Sequence, residues 1–272
     1  MNCNICESSD VKNCFVNDDE IGLSQCRNCG IYFTYPKPAE KKISEFYAGK
    51  DYFKHWFEYK DVKLKTDKAR IEKILKEKIC VLPSNPKLFD YGCGPGFFLD
   101  ICKKKGFDTF GVEYSDFAVD YCIKEMKLNV FKFAGLPFNY PDGSFDIITI
   151  WHTLEHLEKP KETLLEFKRM LKPGGALVIE IPNTNGLLSI IRGKSAYPLI
   201  EHLFHFNPNS LKFLIKATGF ELIKLSPGKP GYTRTGVKII IKKLLAAAGE
   251  VIYSISGINC GDTLLAYCRK NI

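Results

Sequence analysis

Long apolar runs are missing from this chain of 272 residues. No stretch reaches about 18 consecutive apolar residues, so no membrane-crossing helix is expected. The opening Met1-Asn-Cys-Asn lacks a basic segment followed by an apolar one, so no secretory leader is expected and the chain reads as cytoplasmic. Internal repeats and low-complexity tracts are also missing, which argues against a scaffold protein. Neither sign of charge dominates: 39 Lys and Arg against 31 Asp and Glu leave a net +8. That mild excess permits contact with phosphates or anionic lipids without demanding it. Clusters such as Lys103–Lys105 and Lys242-Lys243 read as solvated helix faces. Hydrophobic content of 45% and charged content of 26% are ordinary for a soluble protein, and the length suits one α/β domain with a small appendage.

Cysteine, by contrast, is abundant, with 11 residues. In a cytoplasmic chain this points to metal binding or free thiols rather than structural disulfides. Cys3-Asn-Ile-Cys6 and Cys26-Arg-Asn-Cys29 form two C-x2-C knuckles separated by 19 residues. The spacing fits a zinc ribbon in which each knuckle supplies two thiolates to one tetrahedral Zn2+. Gly30 follows the second pair, where a tight turn favours glycine, and Cys14 reads as a spare thiol. Residues 1–38 carry little apolar content, so the metal is expected to contribute the folding energy of this segment. Four thiolates on one Zn2+ would lower the working net charge to about +6.

The stretch Leu88-Phe-Asp-Tyr-Gly-Cys-Gly-Pro-Gly-Phe-Phe-Leu99 organises the rest of the chain. An apolar strand, a turn with glycines at 92, 94 and 96, and a helix start make a nucleotide-type pocket. The dinucleotide fingerprint needs a small third residue where Phe97 stands here, which argues against NAD. Phe110-Gly-Val-Glu113 reads as a second strand ending in an acid that can accept hydrogen bonds from ribose hydroxyls.

Strand and helix signals then alternate. Strands are expected at 87–91, 109–113, 129–133, 145–151, 176–181, 221–225 and 263–269. Helices are expected at 96–105, 117–126, 161–171 (closed by Lys172-Pro-Gly-Gly) and 208–218. Two or three more helices are expected between Ala39 and Cys80, with an aromatic cluster of Tyr47, Tyr52, Phe53, Trp56 and Phe57. The pattern gives an α/β fold with a parallel sheet covered on both faces, and a ligand site at the carboxyl ends of its strands.

Asp90-Tyr-Gly-Cys-Gly-Pro-Gly96 resembles the S-adenosylmethionine (SAM) loop of class I methyltransferases. Ser144–Ile150, Leu154-Glu-His-Leu157 and Leu171-Lys-Pro-Gly-Gly-Ala-Leu-Val-Ile179 follow in that family's order and spacing. The resemblance runs from about Lys68 to Arg269 and is closest to the branch with ubiquinone-type O-methyltransferases and their antibiotic and polysaccharide relatives. It implies a Rossmann-like seven-stranded methyltransferase sheet, preceded by the zinc ribbon at 1–38 and a helical linker at 39–86. The methyltransferase domain would be 87–272, with inserts at 183–206 and 229–258. It also implies that Asp90 and the loop of Gly92, Cys93, Gly94 and Gly96 hold the methionine end of SAM. Glu113 would take the ribose, Ala134, Gly135 and Leu136 would flank the adenine, and Trp151 would lie near the methyl donor. Similar ribbons precede several sugar-modifying methyltransferases and some RNA methyltransferases.

Methyl transfer to a hydroxyl needs proximity and a base. Candidates fall in two groups, His152, Glu155 and His156 after the fourth strand, and Glu201, His202 and His205 in the first insert. His152–His156 also matches the H-x-x-E-H peptidase pattern, but its place in a methyltransferase series sets that aside. A metal-free histidine base, His156 or His205, oriented by Glu155, is the favoured reading. A second metal site at this cluster is the alternative. The insert stretch Leu187–Ile191 suits a cover over the acceptor. Residues 234–256 read as an amphipathic helix for core packing or dimer contact, with a membrane surface as the other reading. The whole points to a SAM-dependent methyltransferase acting on oxygen of a small-molecule or sugar-type acceptor. An RNA methyltransferase and a non-catalytic SAM-binding module remain open.

Overall fold

The computed structural model describes residues 1–17, 19–38, 50–194, 197–228 and 258–271, together with 244, 247–249, 251–253, 255 and 256. A small antiparallel sheet opens the chain with β1 (Val11–Val16), β2 (Gly22–Cys26) and β3 (Tyr32–Thr34). Two helices follow, α1 (Lys50–Glu58) and α2 (Lys60–Glu77). The first strand-helix pairs are β4 (Lys87–Tyr91), α3 (Phe97–Lys104), β5 (Asp108–Glu113) and α4 (Asp116–Lys124). Next come β6 (Asn129–Lys132), β7 (Phe145–Trp151), α5 (Pro160–Met170) and β8 (Leu171–Pro182). The chain closes with α6 (Leu187–Arg192), β9 (Phe204–His205), α7 (Pro208–Ala217), β10 (Phe220–Pro227) and β11 (Thr263–Lys270).

Seven strands form one sheet in the order β10-β11-β8-β7-β4-β5-β6. The five central and edge strands β8, β7, β4, β5 and β6 are parallel, and β11 runs antiparallel between β8 and β10. This is the expected α/β class, a Rossmann-like seven-stranded sheet with helices. The residues of β7 are buried throughout, as a strand covered on both faces requires. Alternate residues feed two cores. Phe89, Ile148, Leu177 and Ile179 face one cluster, while Leu88, Ile147, Val178 and Tyr267 face the other with Ile71, Phe98 and Leu99. Order reverses between β4 and β7, so a crevice opens at their carboxyl ends.

The seven expected strands are present, with two changes: the sheet is not wholly parallel, since β11 runs against both of its neighbours, and the fifth strand starts early. The fifth begins at Leu171 instead of Ala176, because Leu171 already pairs with Phe145 and the Lys172–Gly175 turn is absorbed as an irregularity. Within 39–86 the described helices are α1 and α2; residues 39–49, with Tyr47, lie outside the described residues. Most of 234–256 also lies outside them, though 251–253 and 255–256 are helical with Val251 and Ile255 exposed. Among the described residues no helix is long and apolar enough to cross a membrane.

The N-terminal sheet is not a detached unit. Strand β9, from the far insert, adds to its edge by pairing Tyr32 with His205 and Phe33 with Phe204. Ile5, Ile31 and Phe33 belong to the same apolar cluster as Leu154, Phe204 and Leu211. The expectation that the metal alone supplies folding energy here is therefore amended: burial against the large sheet supplies part of it.

Candidate active site

The loop after β4 carries Gly92, Gly94 and Gly96 at positive φ, 72°, 53° and 78°. A Cβ on Gly92 would lie 2.4 Å from Thr153 Oγ1, and one on Gly94 would lie 3.2 Å from the Trp56 ring. Bare glycines are thus required by both conformation and close approach. Glu113 at the end of β5 braces this loop. Its Oε2 accepts the Gly94 N–H at 2.8 Å, and Oε1 accepts those of Tyr114 (2.7 Å) and Ser115 (3.0 Å). Burial pushes its pKa up, against the pull of these N–H groups. Each carboxylate oxygen can take two donors, so Oε2 keeps capacity for a ribose hydroxyl. Cys93 is buried and contributes backbone to the loop; its thiol packs into the core beside Gly111.

Asp90 is buried in β4, where its Oδ1 accepts the Thr149 hydroxyl at 2.6 Å across to β7. Burial pushes its pKa up to about 7, with Thr149 pulling the other way. Beyond it, α2 presents a row of buried charge. Lys63 Nζ (2.8 Å) and Arg70 Nη1 (2.9 Å) both reach Asp67 Oδ1, and Arg70 continues to Glu180 Oε2 at 2.8 Å. Arg70 also stacks on the Trp151 ring at 4.4 Å. Ala134 and Gly135 are exposed after β6, with Leu136 half-buried. Their loop is held by Arg169, which donates to the carbonyls of Phe138 (3.1 Å) and Tyr140 (2.7 Å).

The second group gathers at the ends of β7 and β8. His152 follows β7 at φ 50°, a strained conformation for a non-glycine residue. Its backbone N–H donates to the Glu180 carbonyl at 2.7 Å. Its ring stands 3.8 Å from Glu155 Oε1 and 3.9 Å from Glu180 Oε1, and its side chain is 32% exposed. Glu155 is 1% exposed, and neither carboxylate oxygen has a hydrogen-bond partner. Burial works to raise its pKa, but His152, then His156 and His202, outweigh that and hold it at about 2. His156 Nδ1 lies 2.7 Å from the Glu201 carbonyl, which can only accept, so Nδ1 carries a proton and Nε2 points to Glu155 at 3.8 Å. His202 packs edge-on against His156 with ring centroids 4.7 Å apart.

The structure brings His152, Glu155, His156 and His202 together and separates His205 and Glu201 in role. His205 is buried, stacked on Tyr197, with Nε2 3.3 Å from Thr34 Oγ1. Burial pushes its pKa down to about 3 and that of His202 to about 4. Glu201 enters through its carbonyl rather than its carboxylate. His205 therefore belongs to the packing between β3 and β9; the His152 side chain is more exposed than that of His156, although its Nε2 is buried without a hydrogen-bond partner and only the rest of the ring is open to an acceptor. Sequence reasoning passed over Lys63, Asp67, Arg70 and Glu180. The signal available was the i, i+4 and i, i+3 spacing of opposite charges in α2, which ordinarily marks a solvated face.

At the other end, Cys3 and Cys29 sulfurs lie 3.6 Å apart and those of Cys6 and Cys26 3.5 Å apart, with no disulfide formed. All four sulfurs fall within 4.8 Å of one another. A tetrahedral Zn2+ with Zn–S of about 2.3 Å sets sulfurs about 3.8 Å apart, so the donor set fits zinc. Both knuckles turn alike: Glu7 and Gly30, each following a second cysteine, have φ 61° and 74°.

The glycine loop, the acid ending β5 and the seven-stranded order define a SAM-dependent methyltransferase. The sequence model described as a methyltransferase domain matches residues 59–225, and the chain belongs to that family. It is 25% identical to the ubiquinone biosynthesis O-methyltransferase of Azoarcus sp. (strain BH72) over 159 residues, 52% of this chain and 66% of that protein. It is 26% identical to the mitochondrial ubiquinone biosynthesis O-methyltransferase of Schizosaccharomyces pombe over 142 residues, 50% of each chain. The match thus spans about half to two thirds of these relatives. A SAM-dependent methyltransferase structure from Archaeoglobus fulgidus superposes with a TM-score of 0.57 at 23% identity, covering 80% of this chain and all of that one. One from Thermotoga maritima gives 0.57 at 19% identity, covering 84% and 98%. At these identities the structures speak for the fold.

Proposed function

We propose that this methyltransferase transfers the methyl group of SAM to a hydroxyl of a small-molecule or sugar-type acceptor, with His152 as general base. The observation that carries the reading is the placement of His152, strained, partly exposed, and set between Glu155 and Glu180 at the carboxyl ends of β7 and β8. SAM, when bound, supplies an electrophilic methyl and leaves as a neutral thioether. His152 takes the hydroxyl proton as the acceptor oxygen forms its bond to carbon, and the two carboxylates stabilise the imidazolium. Asp90, the Gly92–Gly96 backbone, Glu113 and the 134–136 loop are assigned to holding the cofactor, with Trp151 beside Asp90 in the same lining. The O-methyltransferase names of the curated relatives favour oxygen over nitrogen. Incubation with methyl-labelled SAM and panels of phenolic and sugar hydroxyl compounds tests it; label recovered as a methyl ether supports the reading, and label recovered only in RNA overturns it.

We assign Cys3, Cys6, Cys26 and Cys29 to one structural zinc, and divide the chain into ribbon (1–38), helical linker (39–86) and methyltransferase domain (87–272). A second reading of the histidine cluster has its own support. Glu155, His156 and His202 offer ligand atoms within 4.8 Å of one another, and the Glu155 oxygens are buried without hydrogen bonds. Mixed nitrogen and carboxylate ligands suit a transition metal better than magnesium. Metal retained by a Cys26→Ser variant and lost from a Glu155→Gln variant would favour it.

A further inference from the structure

The buried charges of α2 serve no evident purpose in the fold. Taking a lysine and an aspartate out of water costs several kcal/mol per ion, and such pairs persist where further contacts satisfy them. Here satisfaction is lopsided. Asp67 is fully buried, yet Lys63 and Arg70 both bind its Oδ1, and its Oδ2 has no hydrogen-bond partner. Lys63 is 6% exposed and lies 4.8 Å over the Trp56 ring, which in turn covers Gly94. Lys63, Asp67, Asp90, Gly92 and Trp56 border one space of about 10 Å³, no more than a single water would fill.

The balance of charge is informative too. Lys63 and Arg70 stand among three carboxyl groups, Asp67, Asp90 and Glu180, and since burial pushes the Asp90 pKa up to about 7 the set carries at most one negative charge in excess. SAM carries a sulfonium, an ammonium and a carboxylate, one positive charge in excess. Its amino-acid end needs one cationic and one anionic partner, which is what α2 presents beside the glycine loop.

We propose that Lys63 and Asp67 clamp the amino-acid end of SAM, Lys63 Nζ pairing with its carboxylate and Asp67 Oδ2 accepting from its ammonium. The proposal rests on SAM lying at the Gly92–Gly96 loop. Lys63 and Trp56 fill the space the methionine chain needs, so they must turn aside on binding. Lys63 then exchanges the Asp67 carboxylate for that of the cofactor, and Arg70 stays on Asp67 Oδ1, so no charge is left bare. Trp56 and Trp151 are the chain's two tryptophans and both border this space, so intrinsic fluorescence reports the movement.

The test compares S-adenosylhomocysteine with 5′-methylthioadenosine, which has the same nucleoside thioether without the amino-acid end. Binding is followed by calorimetry and tryptophan fluorescence. Lys63→Met and Asp67→Asn should each weaken S-adenosylhomocysteine by about 10–100-fold, the scale of hydrogen bonds to charged groups, and leave methylthioadenosine nearly unchanged. Lys63→Arg, which keeps the charge, should restore most of the loss; Lys63→Gln serves if the Met variant does not fold. Equal loss for both ligands, or no loss for either, overturns the clamp. Gly94→Val separates the two levels of the argument. It should abolish binding of both ligands, and unchanged methylthioadenosine affinity in this variant would show that the cofactor lies elsewhere.

Discussion

Thr34 Oγ1 donates to the His202 carbonyl at 2.7 Å and lies 3.3 Å from His205 Nε2, across 171 residues of chain. The hydroxyl proton is committed to the carbonyl, so His205 Nε2 donates to Thr34 and its ring is fixed in one tautomer. The strand that carries Thr34 follows directly on the second cysteine knuckle. Asn207 adds a 2.9 Å hydrogen bond to the carbonyl of Gly30 in that knuckle. The cysteine cluster and the histidine loop are therefore joined through these contacts, and the N-terminal sheet braces the loop proposed to carry the base.

This brace sets the outcome of removing the metal. Elemental analysis of protein prepared without chelators should find about one zinc per chain, held by the four thiolates. Cys14→Ser should leave it in place. Cys26→Ser should lose it, and should also slow methyl transfer, because β9 and His202 lose their anchor. SAM affinity, assigned to the loop after β4 and to Glu113, should persist. Loss of SAM binding in calorimetry of Cys26→Ser would contradict this division.

Glu113 has a double part. It holds three backbone N–H groups of the loop and its neighbours, and it is proposed to take the ribose hydroxyls. Glu113→Ala should weaken SAM by about 2–3 kcal/mol, the cost of charge-assisted hydrogen bonds lost from a buried site. It should also lower the melting temperature, because the Gly94 N–H loses its partner. Calorimetry and a thermal melt on the same preparation separate the two effects.

Arg169 ties α5 to the loop proposed to flank the adenine. Its guanidinium holds Glu166 at 2.6 Å and reaches Asp142 at 2.7 Å, while Glu166 Oε1 accepts the Phe138 N–H at 2.8 Å. The hydrogen bonds from Arg169 pull the Glu166 pKa below its ordinary value, against the effect of burial. A folded pKa below the unfolded one means stability that is present above the unfolded value of about 4.3 and is lost as pH falls through the folded value. Glu166→Gln should therefore be less stable than wild type at pH 7, and the gap should close on acidification. Thermal melts from pH 7 to pH 3 check this; parallel curves would remove Glu166 from the acid response. Arg169→Ala leaves two carbonyls and two carboxylates, Glu166 and the exposed Asp142, short of a partner and should cost about 1–3 kcal/mol.

Much of the large sheet was legible because its signals are local. The apolar run Phe145–Trp151, opened by Asp142-Gly-Ser, and the run Leu88–Tyr91, closed by the Gly92–Gly96 turn, declare strand and loop without knowledge of neighbours. The four cysteines were equally legible, since spacing alone restricts how two knuckles meet. Two things were not. The pairing of β3 with β9 joins Tyr32 to His205, and nothing in either short segment encodes so distant a partner. The inward aim of Lys63, Asp67 and Arg70 was hidden because their spacing on a helix is that of a solvated ion-pair face. Only the position of α2 over the crevice turns that face inward, and burial then makes the charges informative.

The choice among the histidines gives the last prediction. His205 is walled in by Tyr197 and Thr34, and burial keeps it neutral far below physiological pH. His156 has its Nδ1 bound to the Glu201 carbonyl, and its Nε2 faces Glu155 at 3.8 Å. His152 stands between two carboxylates with its side chain about a third exposed; its Nε2 is buried, so the proton must be taken at Nδ1, 3.8 Å from Glu155. A base must reach the proton it removes, so His152→Ala should reduce turnover by about 10²–10⁴-fold and leave SAM affinity nearly intact. His205→Ala should act differently: it removes packing between β3 and β9, so it should lower the melting temperature in step with activity. Single-turnover rates with an identified acceptor, measured beside SAM titrations, distinguish the two. If His152→Ala transfers methyl at the wild-type rate while His156→Ala does not, the base is His156. If both variants match wild type, neither ring removes the proton, and positioning of the acceptor against the methyl group carries the reaction.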